Sequence, residues 1–316
     1  MSVLLAAALA ALCPVEADVM DEAARAFEAH YVLQDRAPSI ALAIREDAAV
    51  LPRSDACQAP ERFADEATAY LRDVSNDRHV KLDATRASPE DAEADEGGSW
   101  IEDWYAAAPS KNHGVAAVEI LDGNIGYLKL TSFYDLPETW ARYGAAFTLL
   151  QDTEALILDL RGNGGGSPEA ELRVQWSMLE PGTTPPIVMD RGADGLEQRP
   201  VPEIDWPRYG ARRPLYILTS GRTFSAAEAV TYGLQAAGRA RVVGEATGGG
   251  AHMVGDGLAL SDSFSLYMPE ERPISPHTGG NWEGAGVPPD LVVDASDALD
   301  AALDDLTILL AAETAD

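Results

Sequence analysis

Basic residues are scarce in this sequence of 316 residues. Twenty-three lysines and arginines stand against 52 acidic residues, which gives a formal net charge of −29. Lysine occurs only at positions 81, 111 and 129. A surface this acidic repels nucleic acid and anionic membranes, so neither is expected as a partner. The charge is typical of a well-solvated surface and says little about the substrate.

Cysteine is nearly absent, and this excludes a cysteine-rich metal site. Cys13 and Cys57 are the two cysteines of the chain. They could pair in an oxidising compartment if residue 13 is retained. No zinc-type spacing is present, so we predict no metal and no cofactor.

No apolar run is long enough to predict a membrane-spanning helix. The apolar stretch 1–12 is too short to cross a bilayer. It is followed by Val15-Glu16-Ala17, which predicts a signal peptide over residues 1–17 with cleavage after Ala17. The alternative is a helical N-terminus that packs on the core, because no basic residue precedes Arg25. The signal peptide predicts a periplasmic or extracellular location, without stable membrane insertion after processing.

Apolar spacing and composition divide the rest of the chain in two. Residues 18–99 are predicted to form a helical N-terminal domain that ends in an acidic linker over 87–99. From residue 100 to 316, short β-type runs alternate with helical patterns, which predicts an α/β core. The predicted strands of the core cover 124–133, 155–160, 215–219, 241–244 and 258–268, and its predicted helices cover 137–150, 168–179, 225–237 and 297–312.

Ser225 follows a predicted buried strand, Leu215–Thr219, and a turn at Gly221. A helix is predicted to begin at Ser225, where backbone N–H groups point outward and the helix dipole favours negative charge. The N–H of Ala226 is therefore a candidate donor to an oxyanion formed by attack of Ser225. The alternative is a capping box of Ser225 with Glu228, which requires no chemistry.

A second strand-to-helix connection, residues 161–167, contains four glycines within five residues. Glycine permits positive φ and close backbone approach, so this loop can direct N–H groups at an anion. A phosphate cradle is the rival interpretation, but neither the dinucleotide-binding nor the P-loop glycine pattern fits. An oxyanion donor near Gly165 is the better interpretation, and a tight connection without chemistry is the alternative.

A serine nucleophile needs a proton acceptor, because a free hydroxyl is a weak nucleophile. Histidine occurs at positions 30, 79, 113, 252 and 277. His30 lies within a predicted helix, where a structural role is expected. His79 follows a helix in a turn-rich segment and is the preferred base.

Six segments taken in order resemble the family of tail-specific (C-terminal processing) peptidases, tricorn core proteases and interphotoreceptor retinoid-binding protein modules. Each segment is weak alone, but together they span nearly the whole chain after the predicted signal peptide. They are residues 77–80 (DRHV), 124–128 (NIGYL), 159–166 (DLRGNGGG), 222–228 (RTFSAAE), 244–252 (GEATGGGAH) and 281–290 (NWEGAGVPPD).

The resemblance implies a role for each part. Ser225 aligns with the family nucleophile, and Ala226 and a glycine of the loop, assigned as Gly165, supply the oxyanion N–H groups. His79 aligns with the general base of the tricorn-like branch, and Glu283 aligns with the acid that helps to orient it. The implied fold is a crotonase- or ClpP-like α/β core of ββα units, preceded by a small helical domain.

The sequence also departs from the processing-peptidase branch. That branch uses a serine–lysine dyad, and here the lysine position falls at Gly250, so a histidine base is expected. No PDZ module fits between His79 and Asn124, which favours the retinoid-binding-protein-like branch. Arg78 stands where tricorn proteases carry a serine that links acid to base, so the coupling of Glu283 to His79 is open.

The predicted function is a serine-type peptidase that hydrolyses peptide bonds through an acyl-enzyme. Its predicted partner is a peptide or protein substrate, and an oligomer is compatible with the sequence. Two alternatives remain on the same fold. One is a non-catalytic module that binds an apolar, lipid-like or retinoid-like ligand, and the other is a small-molecule esterase or amidase.

Overall fold

The computed structural model describes residues 14–47, 59–84, 100–190, 195–255, 257–261 and 263–313. The apolar run before residue 14, both cysteines and the predicted linker over 87–99 lie outside these residues. Signal-peptide cleavage, the disulfide and the linker therefore stay predictions. Within the described part of the chain, no helix is long and apolar enough to cross a membrane.

The described residues form eight α-helices, one 3-10 segment (Pro109–Gly114) and thirteen short strands. The helices are α1 (Pro14–His30), α2 (Ala37–Asp47), α3 (Pro60–Ser75), α4 (Trp100–Ala106), α5 (Pro137–Leu150), α6 (Pro168–Ser177), α7 (Ala226–Ala236) and α8 (Ala298–Glu313). The strands are β1 (Lys81–Ala84), β2 (Val115–Leu121), β3 (Ile125–Leu130), β4 (Ala155–Asp159), β5 (Val188–Asp190), β6 (Leu196–Glu197), β7 (Leu215–Thr219), β8 (Arg241–Gly244), β9 (Met253–Val254), β10 (Leu258–Ser261), β11 (Phe264–Tyr267), β12 (Pro269–Ile274) and β13 (Leu291–Val292).

The chain divides into two compact units, residues 1–97 with 253–271 and residues 98–252 with 272–316. In the first unit, α1, α2 and α3 share an apolar core with a small antiparallel sheet of order β1-β11-β10. Asn76 is the C-cap of helix α3, and its backbone is left-handed (φ 49°). Its N–H donates to the carbonyls of Arg72 and Asp73. This cap turns the chain sharply, and the turn leads through His79 into β1.

The second unit contains a six-stranded sheet of order β13-β8-β7-β4-β3-β2. The β2–β3 pair is antiparallel, and the other neighbours are parallel. Side chains alternate across the sheet because successive residues of a strand face opposite sides. Leu156 and Leu158 join the core that contains α7, whereas Ala155 and Ile157 join the core that contains α8. Helices therefore cover both faces.

The α/β prediction is confirmed, and the predicted bounds of α5, β7 and β8 coincide with the observed ones. The parallel strands place their carboxyl ends at one edge, which is where ligands bind in open α/β sheets. The comparison with crotonase or ClpP folds stays a prediction, as does the assignment of domains at residue 100. The predicted domains were continuous segments, whereas the first unit also contains residues 253–271.

Candidate functional site

Ser225 lies between β7 and α7 in an unusual backbone conformation. Its φ is 53° and its ψ is −123°, and it occupies the N-cap of α7. Positive φ at a residue with a Cβ costs on the order of 1–3 kcal/mol and persists only where the surroundings enforce it. A sharp strand-to-helix turn of this kind presents a serine hydroxyl at the end of a sheet.

A buried carboxylate fixes this turn. Glu228 is fully buried, and its Oε2 accepts hydrogen bonds from the N–H groups of Ser225 and Gly250, both at 2.8 Å. Its Oε1 accepts from the Gly249 N–H at 2.7 Å and from the Thr247 hydroxyl. Burial raises the pKa of Glu228, and these four donors partly oppose the rise. The carboxylate ties the nucleophile turn to the glycine-rich segment after β8.

The glycine loop after β4 packs directly against Ser225. The Phe224 N–H donates to the Asn163 carbonyl at 3.0 Å, which pairs the two loops. Gly165 has a φ of 101°, and a Cβ added there would lie 2.8 Å from the Ser225 Cβ and 3.1 Å from the Ala226 nitrogen. Only glycine meets both the backbone and the spatial requirement.

The two predicted oxyanion donors differ in their surroundings. Ala226 is the first residue of α7, so its N–H has no acceptor within the helix. The Gly165 N–H donates to Asn163 Oδ1 at 2.8 Å. The assignment of the Gly165 N–H as an oxyanion donor therefore stays a prediction. It requires that Asn163 Oδ1 move away so that the substrate oxygen can accept this N–H. Gly164, which is exposed, is the other glycine of the predicted Asn-Gly-Gly run.

Glu283 contacts His252 within the second unit. Its Oε2 accepts from the N–H of Ala251 at 2.6 Å and of His252 at 3.2 Å, and it lies 3.7 Å from His252 Nδ1. Both segments belong to motifs identified in the sequence, and the loops carrying them pair through the Gly284 N–H and the Gly249 carbonyl at 2.9 Å. The coupling of Glu283 to His79 stays a prediction.

His79 belongs to the first unit, where a carboxylate lies beside it. Asp77 Oδ1 accepts the His79 N–H at 3.0 Å and lies 3.5 Å from its Nδ1. The Tyr31 hydroxyl donates to the other oxygen of Asp77 at 3.0 Å. All three side chains are buried or nearly so. The first unit therefore places a buried carboxylate beside His79, as is typical of a histidine that acts as a general base.

Ser225, His79 and the glycine loop stay predictions as site residues, and the sequence analysis did not single out two side chains that contact them, Asp77 and Asn163. Asp77 stands two residues before the histidine, and this spacing could have indicated their contact. No sequence pattern indicated the contact between Asn163 and Gly165.

Within either unit alone, no three described His, Cys, Asp or Glu side chains lie close enough together to hold a metal ion.

Comparisons with known proteins agree with these motifs. A C-terminal processing peptidase of the chloroplast from Tetradesmus obliquus is 29% identical over 172 residues, which are 54% of this chain and 35% of that protein. A carboxy-terminal-processing protease from Bartonella bacilliformis is 30% identical over 192 residues, covering 55% of this chain and 40% of that protein. The chain thus spans less than half the length of these relatives.

Solved structures share the fold at low sequence identity. A lipoprotein from Streptococcus agalactiae superposes with a TM-score of 0.64 at 17% identity, over 94% of this chain and 98% of that chain. The photosystem II D1 C-terminal processing protease gives a TM-score of 0.55 at 20% identity, over 90% and 94% of the two chains. The tricorn protease gives 0.58 at 15% identity, over 92% of this chain and 36% of that chain.

A family model described as peptidase family S41 matches residues 124–293, which is more than half of the chain. The matched region begins at β3 and ends just after β13, so it includes the two loops that meet at Ser225. The resemblance to the C-terminal processing peptidases is confirmed, whereas the narrower assignment to one branch stays a prediction. The chain belongs to peptidase family S41.

Proposed function

We propose that this chain is a serine-type peptidase that hydrolyses peptide bonds through an acyl-enzyme, with Ser225 as its nucleophile. The observation that carries the proposal is the strained backbone of Ser225 at the start of α7, packed against Gly165. Strain of this kind is retained where function requires a side chain in a fixed position. Membership of family S41 favours this activity over the apolar-ligand carrier and the small-molecule esterase.

The proposed general base is His79, with Asp77 as the group that orients it. The Asp77 carboxylate beside Nδ1 favours the tautomer that carries its proton on Nδ1, which makes Nε2 the proton acceptor. Tyr31 in turn holds the carboxylate through its hydroxyl. Glu283, the acid implied by the family resemblance, is the remaining member of the proposed catalytic set.

The proposed reaction begins with attack of Ser225 Oγ on the carbonyl carbon of the scissile bond while His79 takes the hydroxyl proton. The carbonyl π electrons move to oxygen and form an oxyanion. Collapse of this intermediate expels the amine, which His79 protonates, and leaves an ester on Ser225. Water then attacks the ester, His79 again takes and returns a proton, and the carboxylic acid product leaves. A general base contributes about 10²–10⁴-fold to such a reaction.

The proposed oxyanion donors are the Ala226 N–H and an N–H of the glycine loop, assigned to Gly165. Each such donor contributes about 10²–10³-fold when it is directed at the developing charge. Helix α7 begins at Ala226, so its dipole adds to this stabilisation. When substrate binds, its carbonyl oxygen is proposed to replace Asn163 Oδ1 as the acceptor of the Gly165 N–H.

The proposed substrate is a peptide or protein in a periplasmic or extracellular compartment. The location follows from the predicted signal peptide, and the substrate class follows from the family. Neither nucleic acid nor a membrane is a proposed partner, because the acidic surface repels both.

The proposal is tested by fluorophosphonate labelling and by hydrolysis of an unfolded protein substrate such as casein. Ser225→Ala is expected to lose labelling and to reduce turnover by at least about 10³-fold, whereas Ser110→Ala, at an exposed serine, keeps both. His79→Ala is expected to lose about 10²–10⁴-fold relative to His30→Ala, at an exposed histidine of the same unit. Persistent hydrolysis in folded Ser225→Ala disproves the assignment. A native chain that does not label at Ser225 favours the carrier alternative.

A further inference from the structure

A cavity of about 680 Å³ opens at the carboxyl ends of the parallel strands in the second unit. Its lining includes Lys129, Arg161 and Arg222, together with the hydroxyl-bearing residues Thr131 and Ser220. One of the three lysines of the whole sequence is therefore here. Three cationic side chains around one cavity are notable in a chain with a net charge of −29.

The cations of this cavity, which we call the basic pocket, are only partly neutralised. The fully buried Asp159 lies beside Lys129 and Arg161, and Glu245 is the one acidic residue of the lining. Three positive charges thus face two negative ones. The excess charge attracts an anion at short range, where screening by salt is weakest.

Lys129 has hydrogen-bonding capacity to spare. Its Nζ lies 3.7 Å from Asp159 Oδ2, which is an ion-pair distance but too long for a hydrogen bond. The Asp159 carboxylate already accepts from the Tyr127 hydroxyl at 2.6 Å and from the Arg161 Nε and Nη2 at 3.0 and 2.7 Å. The ammonium donors of Lys129 can therefore serve a ligand.

Arg161 is held rigidly at the wall of the basic pocket. Besides its two bonds to Asp159, its Nη1 donates to the Ala295 carbonyl at 2.7 Å. Glu245 anchors the same wall, because its carboxylate accepts from the N–H groups of Ala295 and Gly221. A guanidinium fixed in this way loses little entropy when it contributes to a bound anion.

The basic pocket and Ser225 lie on the same pair of loops. The Ser220 hydroxyl donates to the Arg161 carbonyl, and the Thr223 hydroxyl donates to the Leu160 carbonyl at 2.9 Å. Further along, the loops meet again at Ser225 itself. Arg222 is exposed and stands three residues before Ser225, so their Cα atoms are at most about 11 Å apart. That distance corresponds to about three residues of an extended peptide.

We propose that the basic pocket is a subsite for an acidic side chain of the peptide substrate, within about three positions of the scissile bond. The proposal rests on the proposed peptidase function. A carboxylate matches the planar donor fork of Arg222 and the point charge of Lys129. It also gives a highly acidic enzyme a local means of accepting an acidic substrate.

The test uses internally quenched peptides of one sequence in which a single Glu, or Gln in the matched set, is moved over three positions on either side of the bond. Each peptide is made with a free or an amidated C-terminus, so that an effect of the terminal carboxylate is measured apart from that of the Glu side chain. The native enzyme is expected to show a kcat/KM at least about fivefold higher for the best Glu peptide than for its Gln counterpart, with either C-terminus. The ratio is expected to fall towards one in Arg222→Gln and Lys129→Met and to shrink with added salt.

The matched control is Arg212→Gln, which removes the same charge from an exposed arginine of the same unit and is expected to keep the ratio. Equal rates for the Glu and Gln peptides, a preference that depends on the C-terminus alone, or an unchanged ratio in Arg222→Gln overturns the subsite. Fluorescein-labelled versions of the same peptides are bound to Ser225→Ala to separate this proposal from peptidase activity. Preferential binding of the anionic peptides, without hydrolysis by the native chain, contradicts the proposed function alone. Equal binding contradicts the subsite alone.

Discussion

Two buried carboxylates of the second unit have contrasting surroundings. Glu228 accepts from three backbone N–H groups and a threonine hydroxyl, all neutral donors. Asp159 accepts from the Arg161 guanidinium and the Tyr127 hydroxyl, with Lys129 at ion-pair distance. Burial raises the pKa of Glu228. Burial also acts to raise the pKa of Asp159, but hydrogen bonds from Arg161 and Tyr127 lower it below its ordinary value.

The contrast separates two uses of a buried acid. Neutral backbone donors position a carboxylate accurately but do not cancel its charge. A guanidinium cancels the charge and leaves an ionised group that is stable above mildly acidic pH. Glu228 thus fixes the geometry of the Ser225 turn, whereas Asp159 places cations at the edge of the sheet.

The largest effect is expected from Glu228→Gln. The substitution replaces one carboxylate oxygen by an NH₂ group, which is a donor. The two groups that donated to that oxygen therefore lose their acceptor. We expect the free energy of unfolding to fall by about 4 kcal/mol, at about 1–3 kcal/mol for each unsatisfied buried group, and turnover to fall by 10²-fold or more. Urea denaturation and peptide hydrolysis measure the two effects.

Glu169→Gln provides the control for that variant, because Glu169 is an exposed acid in the first turn of α6. Its stability is expected to change by less than about 0.5 kcal/mol. If Glu228→Gln is as stable and active as this control, the Ser225 turn does not depend on the carboxylate, and the contrast with Asp159 fails.

A somewhat smaller effect is expected from Asp159→Asn, which leaves Arg161 without its counter-charge and costs about 3 kcal/mol at neutral pH. The folded-state pKa of Asp159 is below its unfolded value of 3.8, so its contribution is complete above that value and is lost as pH falls through the folded pKa. The stability gap to the native chain should therefore narrow below about pH 4. Urea titrations from pH 7 to pH 3 measure it, and a gap that widens with acid contradicts the charge assignment.

The smallest effect is expected from Tyr127→Phe, which removes one hydroxyl donor from Asp159 while Arg161 remains. We expect a loss of about 1 kcal/mol, as for a single buried hydrogen bond. Tyr232→Phe is the control, because the Tyr232 hydroxyl bonds to Thr278 at an exposed site. Equal urea midpoints for the two variants would show that the guanidinium alone maintains the Asp159 site.

The sequence predicted elements whose signals are local. Helix α5 begins at Pro137, where proline is favoured in the first turn, and β7 is a continuous apolar run between turn residues. Strands β5, β6 and β13 have two or three residues each and are defined by their partners, so no periodicity identifies them. The edge strand β2 was also missed, because all but one of its residues are partly buried or exposed and its apolar pattern is weak.

The candidate site follows the same rule. The positions of Ser225 and Gly165 were predicted because serine at a helix start and clustered glycines are local patterns. The contact of Glu283 with His252 and the capture of the Gly165 N–H by Asn163 depend on side-chain rotamers and loop pairing. Such contacts cannot be predicted from the spacing of residues in the sequence.

The first unit is completed late in synthesis, because it includes residues 253–271. Ala84 of β1 pairs with Phe264 of β11, about 180 residues later in the chain. At about 5–20 residues per second, a ribosome needs roughly ten to forty seconds to supply that partner strand. Most of the six-stranded sheet of the second unit emerges in the meantime. Until then, the apolar face of the N-terminal helices that packs on β11 stays uncovered, and we expect such a face to favour chaperone binding during synthesis.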